Sequence, residues 1–227
     1  MTDRPILFSG PMVRALLAGT KTQTRRLFKG IEETTDGKFH LFNSGGGLLG
    51  VTLAEVSKYG PDYLPIQIDD RLYVREHWRT TYGLDWTVEG LDRPLKPREF
   101  VASETPVEYL ADGERELGGK DRRAMHMPRW ASRLTLIVTD VRVERLQDIS
   151  EADAIAEGAE LSRHPAMDGG VMVLTDVPGV TVSPGVWYRW LWDEINGKGA
   201  WKAKPWVAAY TFRVIKQNID RIDREAA

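Results

Sequence analysis

Cysteine is absent from the 227 residues. That removes disulfides, thiolate metal ligands and cysteine nucleophiles together, and it fits a reducing compartment. Histidine is scarce, with four copies at positions 40, 77, 126 and 164. None pairs with another at the spacing of a metal-binding motif, so no metal site is expected. No stretch of about 18 apolar residues occurs, and no membrane span is expected. The segment Met1 to Pro5 lacks the charged-then-apolar layout of a signal peptide, which leaves the cytoplasm as the expected location. An excess of one sign of charge is lacking too, with 31 Lys and Arg against 33 Asp and Glu. The formal net charge is −2, unlike that of a strongly basic nucleic-acid binder. Gly19-Thr20-Lys21-Thr22 superficially resembles a phosphate loop, but Thr20 separates the glycine from the lysine and G-x-x-x-x-G-K-[ST] is not met. No G-x-S-x-G nucleophile elbow occurs either. No cofactor is expected from these patterns.

What is present is enough for a packed core: 42% hydrophobic residues against 28% charged, close to an ordinary globular composition. One domain is expected over residues 1–216, followed by a charged tail at 217–227. Five cations, Arg14, Lys21, Arg25, Arg26 and Lys29, occur in sixteen residues with no acid among them. They read either as a local cationic patch or as a solvated basic helix end. Eight tryptophans are present, five of them late in the chain: Trp187, Trp190, Trp192, Trp201 and Trp206. Large aromatics are chiefly burial devices, and a base-stacking role is the alternative for one of them.

Periodicity sets out a coarse order of elements. Ile6-Leu7-Phe8 reads as a first strand. Met12, Ala15, Leu16 and Gly19 fall at helical spacing, which predicts a helix over Met12 to Ala18 stopped by Gly19. Leu72 and Val74 alternate with Tyr73 and Arg75, predicting a strand from Arg71 to Trp78. Leu134 to Val143 is the clearest strand, with a bend or bulge expected near Thr139-Asp140. Ser150 and Asp153 open a short helix ending at Gly158. Val186 to Ile195 is an aromatic helix, and Pro205 to Ile215 a final strand. Three stretches, about 30–62, 80–127 and 161–185, read as insertions with little regular structure. Gly45-Gly46-Gly47 marks a loop in the first, and Thr105 to Glu116 suits a short helix in the second. Strands outnumber helices and no βαβ alternation appears. This predicts an α+β fold, a small mixed barrel with helices over its ends.

The chemistry concentrates in Gly19-Thr20-Lys21-Thr22-Gln23-Thr24-Arg25-Arg26. If the segment is extended, Lys21, Gln23 and Arg25 point one way and Thr22, Thr24 and Arg26 the other. Alternation alone therefore does not join Lys21 to Thr24.

These residues resemble the G-x-K-x-x-T-x-R signature of the ASCH superfamily, a PUA-related β-barrel. Ile68-Asp69-Asp70-Arg71-Leu72-Tyr73-Val74 resembles that family's G-D-x-L-x-V strand, with Asp69 where glycine is usual. Ser132 to Val143 followed by Leu146 to Glu157 resembles the next strand and the helix that carries a functional acid. Pro5 to Val13, Arg71 to Glu76, Met127 to Arg133 and Trp192 to Gly197 are similar to segments of the larger ASCH-like proteins encoded by phages and prophages.

The resemblance implies hydrolysis of an N-acylated pyrimidine nucleoside or base, N4-acetylcytidine-like, with Lys21, Thr24 and Glu157 as the catalytic set. Arg25, Arg26, Arg129 and Trp130 are the expected substrate-binding residues. Each also has a plainer reading: Lys21 as a surface cation at a helix C-terminus, Thr24 as a strand residue, Glu157 as a solvated helix residue, and Arg129 packed over Trp130. The implied partner is a modified nucleoside or a nucleic acid. A non-catalytic RNA- or DNA-binding PUA-like module and a nuclease using the same pocket are the alternatives. The residues do not specify an oligomeric state.

Overall fold

The computed structural model describes residues 1–81, 96, 99–100, 102, 104–113, 116–162, 170–175 and 177–222. In chain order the elements are β1 (Asp3–Leu7), α1 (Gly10–Ala18), β2 (Gln23–Leu27), β3 (Ile31–Glu33), β4 (Phe39–Asn43), β5 (Gly46–Val51) and α2 (Leu53–Tyr59). These are followed by β6 (Arg71–Arg75), β7 (Trp78–Arg79), β8 (Glu108–Tyr109), β9 (Thr135–Arg145), α3 (Glu151–Ala156), β10 (Val173–Leu174), β11 (Thr181–Val182), α4 (Pro184–Asn196) and β12 (Trp206–Ile215). The fold is mixed α+β, with several sheets and short helices. Among the described residues no sheet closes into a barrel.

The chain packs as two compact units. The first comprises Met1–Ala18, Asp69–Ile137 and Arg213–Ala227; the second comprises Gly19–Ile68 and Val138–Phe212.

In the first unit β1 runs parallel to β6, Asp3 opposite Arg71 and Leu7 opposite Arg75. β6 pairs antiparallel with the start of β9, Tyr73 opposite Thr135. Arg71 is buried because its guanidinium forms two hydrogen bonds to the Asp3 carboxylate, at 2.7 and 2.8 Å. The expected strand from Arg71 to Trp78 is broken after Arg75. Trp78 restarts as β7 and pairs with Tyr109 of β8. Trp78, Phe100, Met127 and Ala131 form the local core. The short helix expected over Thr105 to Glu116 is instead β8 and a 3₁₀ turn at Leu110–Asp112. Cross-strand pairing to Trp78 outweighs the local preference, and the Tyr109 hydroxyl donates to the Ala131 carbonyl at 3.0 Å. α1 buries Val13 and Leu16 and ends where Gly19 takes φ +77°, as the sequence suggested.

In the second unit β12 lies between the later part of β9 and β2. It pairs antiparallel with β2, Thr24 opposite Tyr210 and Arg26 opposite Ala208. Residues 31–51, read from sequence as weakly patterned, form a three-stranded meander, β3-β4-β5. Only Phe39, Leu41 and Val51 are buried in these strands, so the alternation is too sparse to read locally. Gly45-Gly46-Gly47-Leu48-Leu49-Gly50 carries the letters G-x-G-x-x-G. It is the turn and outgoing strand of the β4–β5 hairpin, not the strand-to-helix turn that cradles a dinucleotide. The third expected insertion contains the β10–β11 hairpin. α4 lays Tyr188 and Trp192, four residues apart on one face, onto Leu146, Ala154 and Val207.

Candidate functional site

The Gly19 turn sends the chain back along the second unit as a one-residue antiparallel bridge. Lys21 pairs with Glu157, Thr22 N donates to Ala156 O at 2.8 Å, and Phe212 N donates to Thr22 O at 2.9 Å. The segment is thus held between the end of α3 and β12. α3 is started by Ser150, whose side chain accepts the Asp153 N–H. Glu157 is the C-cap of this two-turn helix, and Gly158 at φ +102° turns the chain away.

These constraints bring Lys21 and Glu157 together. Lys21 Nζ donates to the Glu157 backbone oxygen and to Oε2, each at 2.8 Å. The two side chains are 0% and 3% exposed. Arg25 joins them from the same side of the segment, as alternation predicts. Its Nη1 donates to Glu157 Oε1 at 3.1 Å and to Gln23 Oε1 at 3.2 Å. Its Nε donates to Glu144 Oε1 at 2.8 Å, and Nη2 lies 3.2 Å from Asp153 Oδ2. The Tyr188 hydroxyl donates to Glu157 Oε1 at 3.4 Å. The Arg25 guanidinium sits 5.9 Å from the Tyr188 ring centroid.

Electrostatically the cluster is balanced, with Lys21, Arg25 and Arg26 against Glu144, Asp153 and Glu157. Burial pushes the Lys21 pKa down, and the Glu157 carboxylate only partly opposes it. Burial likewise pulls Arg26 down, against the pull of Glu157, Tyr188 and Tyr210. For Arg25 burial acts downward, but Glu144 and Glu157 outweigh it and its pKa rises. Burial and then the Glu157 charge raise the Tyr188 hydroxyl well above its usual value. A lysine whose proton is loosened, 2.8 Å from a carboxylate, is chemically able to pass a proton to it.

The other expected site residues are distributed differently. Thr24 is buried on β2 opposite Tyr210. Arg26 is half-buried on the same strand, within electrostatic reach of Lys21 and Glu157. Arg129 and Trp130 belong to the first unit. Arg129 donates to Asp3 and Asp220 at 2.6 and 2.5 Å, and Trp130 packs edge-on against Trp78. The cationic run is no single surface patch. Lys21 and Arg25 are buried against carboxylates, and Arg14 donates to the Ala111 carbonyl. Tyr188, Glu144 and Asp153 were not read from sequence as members of the site, although Tyr188 stands one turn before Trp192 on the buried stripe of α4.

An open groove of about 460 Å³ elsewhere in the second unit is lined by Asn43, Gly45, Gly46, Tyr59, Asp62 and Tyr63, among others, and none of its lining belongs to this cluster. Among the described residues no group of three His, Asp or Glu side chains is arranged to hold a metal ion. No helix among them is long and apolar enough to cross a membrane.

No family model, curated protein or solved structure matches the chain. The side chains themselves carry the functional reading.

Proposed function

We propose that the protein is a hydrolase of the ASCH, PUA-like type that cleaves the amide of an N-acylated pyrimidine nucleoside or base, with N4-acetylcytidine as the model substrate. The observation that carries this reading is the buried Lys21–Glu157 pair. An amine with a lowered pKa donates at 2.8 Å to a carboxylate reached across 136 residues of chain. Three further features support it. The residues of G-x-K-x-x-T-x-R stand at 19–26, the long strand β9 precedes α3, and the acid falls at the end of α3.

In this reading Thr24 is the nucleophile. Its hydroxyl oxygen attacks the acyl carbon while its proton passes to the Lys21 amine, which has first handed its own proton to Glu157 across the 2.8 Å hydrogen bond. Glu157 delivers that proton to the departing exocyclic amine as the C–N bond breaks. Water then attacks the acyl-threonine ester and releases the carboxylic acid. Arg26 anchors the carbonyl or the sugar.

The test is release of acetate from N4-acetylcytidine by the full chain. The expected result is turnover that Lys21→Ala and Thr24→Ala each abolish while circular dichroism stays unchanged. Turnover retained in a folded Lys21→Ala variant overturns the mechanism. Salt-sensitive binding of oligonucleotides without turnover replaces it with a binding module, and cleaved oligonucleotide with a nuclease.

A further inference from the structure

The two oxygens of Glu157 are held by different partners. Oε2 receives the Lys21 amine at 2.8 Å. Oε1 receives Arg25 at 3.1 Å and the Tyr188 hydroxyl at 3.4 Å. Arg25 in turn is fastened by Glu144 on β9, Gln23 on β2 and Asp153 on α3, and its side chain is 0% exposed. The alternation of charge continues outward to Arg142, 3.3 Å from Asp153 and 3.7 Å from Glu144, whose side chain is 41% exposed.

All three guanidinium nitrogens of Arg25 thus lie within 3.2 Å of carboxylates, and the side chain is shut off from solvent. The resemblance implied substrate binding for this residue. We propose that Arg25 and Tyr188 are positioning residues: they fix Glu157 Oε1 so that Oε2 stays aligned on the Lys21 amine. The idea rests on the hydrolase reading for its kinetic consequence, but its geometric part stands apart from turnover.

The physical reason is that a glutamate at a helix C-cap has free side-chain torsions, and a proton relay needs its acceptor held to within about half an ångström. A planar guanidinium can bond several carboxylates in one plane, whereas a lysine ammonium cannot reproduce that fork. Tyr188 adds a donor from α4, so the carboxylate is held from two elements. Arg25 also acts on Lys21 through space, as one of the cations that depress its pKa.

The experiment uses the full chain and the variants Arg25→Gln, Arg25→Lys and Tyr188→Phe, with two readouts. The first is kcat and KM on N4-acetylcytidine. The second is the titration midpoint of the Lys21 side chain, followed by NMR on lysine-labelled, ligand-free protein and assigned with Lys21→Arg. Arg25→Gln is expected to lower kcat by about 10²-fold with KM within about twofold, since the lost effect belongs to the chemical step. It is also expected to move the Lys21 midpoint upward, because a neighbouring cation is gone.

Arg25→Lys should restore the midpoint more than kcat. Tyr188→Phe removes a donor and no charge, so a less firmly held Glu157 should let the Lys21 midpoint fall, with kcat down about 3- to 10-fold, and the variant serves if Arg25→Gln does not fold. A raised KM with unchanged kcat in Arg25→Gln makes Arg25 a substrate ligand and overturns the proposal. Should the wild-type protein release no acetate, the hydrolase reading fails. The Lys21 midpoint in Tyr188→Phe then decides alone: a fall upholds the positioning role, and an unmoved or raised midpoint in the folded variant overturns it.

Discussion

Replacing Glu157 with glutamine keeps the shape of the side chain and removes its charge. Lys21, 0% exposed, then loses the carboxylate that receives its amine at 2.8 Å. Breaking a buried ion pair from one side costs about 3–5 kcal/mol when the remaining charge is stranded. Deprotonation sets a ceiling on that cost. Holding a lysine neutral at pH 7 costs about 1.4 kcal/mol for each of the roughly 3.4 units below its free pKa, or about 4.6 kcal/mol. Both routes place Glu157→Gln about 3–5 kcal/mol below wild type near neutral pH.

The sign with pH follows from proton counting. The unfolded variant holds the lysine proton and the folded variant releases it, so raising the pH favours the folded form. The deficit should therefore shrink by up to about 1.4 kcal/mol per unit as pH climbs toward the free lysine value of about 10.4. Wild type has the same sign, because burial already lowers Lys21, but Glu157 makes its dependence shallower. Urea unfolding followed by tryptophan fluorescence at several pH values between about 6 and 10 measures both quantities. Adding Lys21→Met to Glu157→Gln should recover part of the loss, since no stranded charge remains. A deficit under about 1 kcal/mol that is flat over this range would refute the reasoning, because it would mean that the amine needs no carboxylate to stay buried.

Other perturbations follow from single contacts. Gly60→Ala places a methyl 2.9 Å from two carbons of the Val143 side chain; overpacking should cost about 1–3 kcal/mol, and a Gly60→Ala/Val143→Ala cycle should be non-additive in urea melts. Ser150→Ala removes the acceptor of the Asp153 N–H at 3.1 Å and should cost about 1 kcal/mol by the same assay. Arg133→Ala strands Glu76, which is 1% exposed and bonded at 2.9 and 3.0 Å, and should cost about 3–5 kcal/mol. Arg129→Ala breaks pairs whose members are more exposed, at 36% for Arg129 and 53% for Asp220. It should cost about 1 kcal/mol or less, and less still in high salt.

Local signals were legible where local forces decide. The α1 stop at Gly19 is a left-handed residue, which glycine adopts without penalty. α3 is announced by its Ser150 cap, and β12 by a run of apolar and aromatic residues buried from Trp206 to Tyr210. The meander at 31–51 was not legible, because few of its residues bury a side chain and its order comes from backbone pairing. The extended face bearing Lys21 and Arg25 was predicted by strand alternation, yet the same alternation could not say what that face meets.

The amino-acid order alone determined the α+β class, the turn after α1 and the presence of an amine, a hydroxyl and an acid at 21, 24 and 157. Tertiary structure alone decided that the amine and the acid share a hydrogen bond, that Arg25 is locked among carboxylates, and that Tyr188 closes the cluster. Periodicity reports forces acting within a few residues. A contact made across 136 residues is selected only by the packing that excludes water from both partners at once.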